Sequence, residues 1–276
     1  MARPLRIEFA GGLYLITTWG NARLPIVTSD EDRELFLQVL GDVVDRFKWL
    51  CHAYVLMENH YHLVVETPMP NLSRGMRQLN GVYTQMFNSR HGRIGHLFHG
   101  RYKSFVVEPE RLLDVCKFVV TNPVRVGMVS DPAYYLWSSY RSTAGMREKE
   151  PWLYTERILS SFGEQANPVE AYKAFVAKPA EPLRVRHQAF IGSDDFIAQM
   201  RSMIKGKKRR DAEIPVSQRH PGRRPLPELA KTCESRGEWM YKAYREEGYT
   251  MKEIADYAEV HYSTVSRIIK QYEKGL

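Results

Sequence analysis

Cysteine is scarce in this chain. Cys51, Cys116 and Cys233 are far apart, odd in number and outside any CxxC pair, so neither a disulfide framework nor a thiolate zinc site is indicated. No apolar run approaches the roughly 18 to 20 residues needed to cross a bilayer. The opening MARPLRIEF has no apolar segment of the secretory kind. Internal repeats are also missing. These absences lead to the expectation of a reduced, cytoplasmic protein with no membrane partner.

What is present is a chain of 276 residues with 43% hydrophobic content and a net charge of +8. The length suits one large domain or two smaller ones, and the apolar content suffices for a core. The charge is unevenly placed. Arg201 to Pro225 holds nine Lys/Arg against two Asp/Glu, which is +7 of the +8. Two readings stand for this stretch, a solvated linker or a strap that contacts phosphates.

The first part alternates strand and helix patterns. GLYLITTW is β-rich, and SDEDRELFLQVLGDVVDRF follows with Ser29 as its N-cap and an apolar stripe at helical spacing. Strands are expected around Leu50–Leu56 and Tyr61–Glu66, with MEN as the turn between them. A helix is expected over Leu72–Phe87, then a strand in RYKSFVVE and a third helix in PERLLDVCKFVV. The order β-α-β-β-α-β-α predicts an α/β (α+β) domain: a ferredoxin-like, split βαβ sheet with helices on one face. The expected domains are 1–148, a partly helical basic linker over 149–225, and a different helical unit over 226–276.

Within that last unit, Thr250 and Glu253 form a T-x-x-E capping box. A short helix with Ile254, Ala255 and Ala258 inward, a turn at Glu259-Val260-His261, and a second helix with Val265 and Ile268 inward have the spacing of a helix-turn-helix. Tyr262, Ser263, Thr264, Ser266 and Arg267 would face outward, short polar groups and a guanidinium suited to base edges and phosphates of duplex DNA. A small bundle for protein contacts is the alternative. Glu259 stands where such turns often use glycine for its left-handed backbone.

ENHYHLVVE places His60 and His62 two apart in an extended run, so both imidazoles project from one face. They could chelate a cation or be half-buried groups bonded to backbone. In the third helix Leu112, Leu113, Cys116, Val119 and Val120 form the expected core stripe. Phe118 and Asn122 then share another side, four apart. Phe118 would line a cleft or pack against the linker. SRHGRIGHLFHGRYK interleaves Arg90, Arg93, Arg101 and Lys103 with Phe98 and Tyr102, as single-strand DNA binding needs. A basic surface loop is the plainer reading.

GGLYLITTWGNAR, MENHYHLVVETP, NLSRGMRQLNGVYTQMFNSRHGRIGHLFHGRYKS, NPVRVGMV and WSSYRSTAG together resemble the single-tyrosine, His-hydrophobe-His (HUH) transposases of the IS200-like group. The nearest look-alikes are the REP-associated tyrosine transposases. The resemblance runs from about Gly11 to Gly145. It implies that His60 and His62 bind Mg²⁺ or Mn²⁺, with Asn122 at the position of a further polar ligand. It also implies that Arg125, in NPVRVGMV, belongs to the DNA surface. In such enzymes a tyrosine one turn before the polar ligand attacks a phosphate of single-stranded or hairpin DNA, forming a 5′-phosphotyrosine. Phe118 stands at that position and has no oxygen with which to attack.

Tyr83 and Tyr102 are the nearest substitutes, and weak hydrolysis by a metal-bound water is a further route. Three functions follow: a metal-dependent DNA strand transferase, a non-catalytic DNA-binding regulator derived from one, or a protein–protein adaptor. Monomer and dimer are equally compatible with the sequence.

Overall fold

A computed structural model describes residues 7–163, 167–179, 182–204, 224–247 and 249–274. Residues 1–6 and most of the basic stretch, residues 205–223, lie outside the described residues. The described residues fall into two compact units, divided between Gly192 and Ser193.

The first unit is mixed α/β. Strand β1 is Gly12–Trp19, β2 Leu50–Leu56, β3 His60–Thr67, β4 Lys103–Val107 and β5 Phe190–Ile191. They form one sheet in the order β2-β3-β1-β4-β5. β3 lies between β1 and β2, antiparallel to both, which is the split arrangement. β4 is antiparallel to β1, and β5 runs parallel to β4.

Helix α1 (Asp30–Phe47) begins at Ser29, whose side chain accepts from the Asp32 backbone N–H. Satisfying that orphan donor fixes the helix start. α2 is Leu72–Arg90, α3 Leu112–Val120 and α4 Asn122–Arg125. Successive strand residues face opposite sides of the sheet, and both sides are covered. On one side Phe36 of α1 packs on Tyr61 of β3 at 4.8 Å and on Tyr83 of α2 at 5.1 Å between ring centroids. On the other side Leu13, Leu15, Val55 and Val64 pack against Leu112, Val115, Cys116 and Val119. The expectation of helices on one face is therefore corrected. α3 is apolar enough to bury a broad stripe, and it buries it against the far side of the sheet.

The expected linker boundary is corrected as well. After α5 (Tyr140–Thr143), α6 (Glu156–Ser160) and α7 (Pro168–Ala177), the chain reaches β5. Ile158, Tyr172, Val176 and Ile191 all lie in the core with α3. Both sheet edges are covered by this part of the chain. Leu56 N–H donates to Trp137 O at 2.9 Å and Tyr154 N–H to Cys51 O at 2.8 Å along β2, while β5 covers β4. An exposed edge carries unpaired backbone groups, and Trp137, Tyr154 and β5 pair with them.

The second unit contains α8 (Asp194–Ile204), α9 (Leu226–Thr232), α10 (Arg236–Arg245), α11 (Met251–Tyr257) and α12 (Tyr262–Lys274). The Thr250–Glu253 capping box opens α11. Its core holds Leu229, Trp239, Met240, Ile254, Ala255, Val265 and Ile269. Ile269 is buried and Ile268 only partly so, a phase one residue later than the sequence reading. Glu259 adopts the left-handed conformation, φ 52°, that the turn demands.

Candidate functional site

β1 and β3 build the centre of the site. Their register pairs Thr17 with His62 and Trp19 with His60. His62 is 8% exposed and His60 half-buried, with ring centroids 5.1 Å apart. Each ring has its Nδ1 tied down. His62 Nδ1 is 2.8 Å from Thr17 Oγ1, and His60 Nδ1 is 2.8 Å from Asn59 Oδ1. If these are the protonated nitrogens, each Nε2 carries a lone pair.

α3 approaches this face. Phe118 lies 5.9 Å from His62, ring centroid to centroid, at 72°. Its ring is half-buried at the margin of the core, so Phe118 lines the cleft. Of the expected core stripe, Leu112, Cys116, Val119 and Val120 are buried, but Val115 replaces Leu113. Asn122, 4% exposed, opens α4 and donates from Nδ2 to His60 Nε2 at 3.0 Å. Its Oδ1 accepts from Arg125 at 3.1 Å, and that guanidinium lies 3.7 Å above the Phe118 ring. His60, His62, Phe118, Asn122 and Arg125 are thus gathered in one place.

Electrostatics favour neutral imidazoles. Burial, then the Arg23 and Arg125 charges, lowers the His60 pKa from its ordinary 6.5 to about 4. Burial, then His60 and Arg125, lowers that of His62 to about 3. Neutral imidazole is the ligating form. Two imidazole nitrogens and an amide oxygen are a chemically suitable partial donor set for a divalent cation. As placed, Asn122 presents its nitrogen to His60; as a ligand it would present the oxygen. No cluster of three or more His, Cys, Asp or Glu suited to a metal occurs among the described residues.

Thr17, Trp19 and Arg23 are site members that sequence reasoning missed. Trp19 stacks near His60 at 6.5 Å, with Lys103 Nζ 4.9 Å and the Arg23 guanidinium 5.4 Å from its ring. No local signal singles out Thr17 and Trp19, because the β1–β3 register that brings them to the histidines is tertiary.

Other expected residues lie elsewhere. Arg90 is within 4 Å of Glu31 and Asp32, and Arg93 stacks over Phe87 at 5.6 Å, so both sit with α1 and α2 on the opposite side of the sheet. Tyr102 is buried beside Ser73 of α2, with the hydroxyls 3.3 Å apart, and lines a cavity there with Arg101. Tyr83 is fully buried and donates to Ile26 O at 2.6 Å. Burial raises its hydroxyl pKa far above the ordinary value. Neither tyrosine stands near the two histidines. In α12, Tyr262, Ser263 and Arg267 are exposed, while Thr264 and Ser266 are half-buried. Ser263, Ser266 and Arg267 border a shallow groove of about 320 Å³ with Lys270 and Gln271.

Fold and site thus define a mixed α/β protein whose sheet presents a His-x-His pair to an aromatic of α3 and an amide at the start of α4. Residues 13–122 match the family model described as Transposase IS200 like. A solved structure described as a REP-associated tyrosine transposase bound to a REP hairpin aligns with a TM-score of 0.46 and 17% identity. That alignment covers 55% of this chain and 90% of the other. No curated protein matches the chain. Among the described residues no helix is long and apolar enough to cross a membrane.

Proposed function

We propose that this is a transposase-like protein that binds single-stranded or hairpin DNA on its histidine face without forming a covalent tyrosine adduct. One observation carries the reading. The position beside His62, in line with Asn122, is held by Phe118, and the two nearest substitute tyrosines lie across the sheet. The cleft is suited to a phosphodiester. Arg125 and Lys103 supply positive charge, Trp19 and Phe118 supply ring faces, and the neutral histidines leave the local charge cationic. His60, His62 and Asn122 would hold Mg²⁺ or Mn²⁺, which when bound polarises a phosphate oxygen. Thr17 and Asn59 orient the two rings, and Arg125 orients the amide.

In this reading α11, its turn and α12 form a helix-turn-helix that binds duplex DNA. Exposed Tyr262, Ser263 and Arg267, with Thr264 and Ser266 beside them, support it. The protein then acts as a regulator that recognises a hairpin or palindromic element. The test is fluorescence anisotropy of the full chain with labelled hairpin DNA across a salt series. Binding that weakens steeply with salt is expected. Absence of salt-sensitive binding would return the protein to the class of protein–protein adaptors.

A further inference from the structure

A second site lies on the other side of the sheet from the histidines. Ser73, Arg74, Arg77 and Asn80 of α2, with Arg101 and Tyr102 ahead of β4, border an open cavity of about 490 Å³. Its side follows from the strand alternation. Tyr61 lies between His60 and His62 in β3, so its ring points away from them, and its hydroxyl donates to Asn80 Oδ1.

The chemistry of the walls is that of a donor cradle. Arg74 and Arg77 are one helical turn apart and both exposed. Among the described residues neither has a carboxylate partner; Arg74 only passes 5.9 Å from the Phe47 ring. Because Tyr61 occupies the Asn80 oxygen, the Asn80 amide is turned with its NH₂ as the group left to donate. The Tyr102 hydroxyl stands at the same wall, 3.3 Å from that of Ser73. One carboxylate is close, that of Glu8, which accepts from the Ser73 N–H at 3.0 Å and from its hydroxyl. It caps Ser73 and leaves the two guanidinia of Arg74 and Arg77 uncompensated. Planar guanidinium forks, with an amide N–H beside them, match tetrahedral phosphate oxygens. The volume falls in the range of small-molecule sites and exceeds what a bare oxyanion fills, so a phosphate with its sugar is accommodated.

We infer that this cavity is a phosphate-binding site, separate from the histidine face, whose ligand is a phosphate ester. The source is a nucleic-acid backbone if the reading of a DNA-binding protein holds, and a free phosphate compound otherwise. The inference rests on that reading only for the source. With DNA as partner, the strand engages both sides of the sheet, its register set at Arg74 and Arg77 away from the histidines.

The experiment uses the full chain. Hairpin DNA binding is followed by anisotropy against salt for wild type, Arg74→Ala/Arg77→Ala and Arg74→Lys/Arg77→Lys. In parallel, inorganic phosphate is titrated with ³¹P line broadening as the readout. Two lost phosphate contacts lower the magnitude of the salt slope by roughly one to two in the alanine pair. The lysine pair keeps the slope near that of wild type. Asn80→Ala weakens binding severalfold at an unchanged slope, which general surface charge would not produce. An unchanged DNA slope, with phosphate broadening present in wild type and lost in the alanine pair, assigns the site to a free phosphate compound. Wild-type slope and wild-type phosphate response in the alanine pair overturn the site. If wild type binds no hairpin at all, the DNA reading fails, and the phosphate titration alone decides the cavity.

Discussion

Thr17→Val removes one oxygen from the least exposed part of the site and leaves its shape unchanged. The hydroxyl lies 2.8 Å from His62 Nδ1, and Thr17 is 3% and His62 8% exposed, so water cannot readily replace it. A hydrogen bond of this kind contributes about 0.5–1.5 kcal/mol net, but a buried N–H left without an acceptor costs about 1–3 kcal/mol. Taking about 2 kcal/mol, and about 2–4 °C per kcal/mol for a unit of this size, the first unit melts roughly 4–8 °C lower. The ring also loses what fixes its tautomer and direction. Removing such an orienting partner weakens metal affinity by about 10- to 100-fold. Thermal unfolding and a Mn²⁺ titration followed by electron paramagnetic resonance read the two effects separately. A lower melting temperature with wild-type Mn²⁺ affinity would refute the reasoning, since His62 would then be a buried structural histidine and no ligand.

Further outcomes are expected. In metal-free protein, the folded pKa values of about 4 for His60 and about 3 for His62 lie below the ordinary 6.5. Between those values the unfolded chain binds protons that the folded chain refuses, so stability rises with pH through this window and is lost on acidification below about pH 6.5. Urea midpoints of wild type and His60→Gln/His62→Gln at pH 7 and pH 5 should diverge, the variant losing less; equal losses would contradict it. Tyr83→Phe should cost about 1 kcal/mol, since Tyr83 donates to Ile26 O, and should leave hairpin affinity at the wild-type value. Altered DNA binding would mean that Tyr83 reaches the ligand. Arg267→Ala should weaken duplex binding by about 1–3 kcal/mol and leave hairpin binding intact; a gel-shift comparison of the two DNAs decides it.

Much of the site was legible because it depends on short-range periodicity. The alternation that puts His60 and His62 on one face, and the four-residue step from Phe118 to Asn122, are local geometry. The structure brings these residues together. Pairing register is not local. Nothing in GLYLITTW says that Thr17 meets His62, so Thr17 and Trp19 went unassigned. The side on which a basic segment lies is also tertiary. Arg90, Arg93, Arg101 and Tyr102 look continuous with Lys103, yet the strand entry after Tyr102 sends Lys103 to the Trp19 side and Tyr102 to the α2 side. The stretch expected as linker failed for another reason. Its helices are short and β5 has two residues, so periodicity is weak, while Tyr172 and Val176 are buried only because the far side of the sheet needs covering. The one-residue phase error at Ile268, and the exchange of Leu113 for Val115, arise where helix stripes are wide enough to admit more than one choice.

The central claim is that the site kept its phosphate-facing geometry and lost only the attacking oxygen. Incubating the full chain with labelled hairpin DNA and Mn²⁺, then separating products on a denaturing gel, tests it most directly. Wild type should give no protein–DNA adduct, and Phe118→Tyr should give one that disappears when His60 is also changed to Ala. An adduct in wild type, or none in Phe118→Tyr under conditions where it binds the hairpin, would contradict the account.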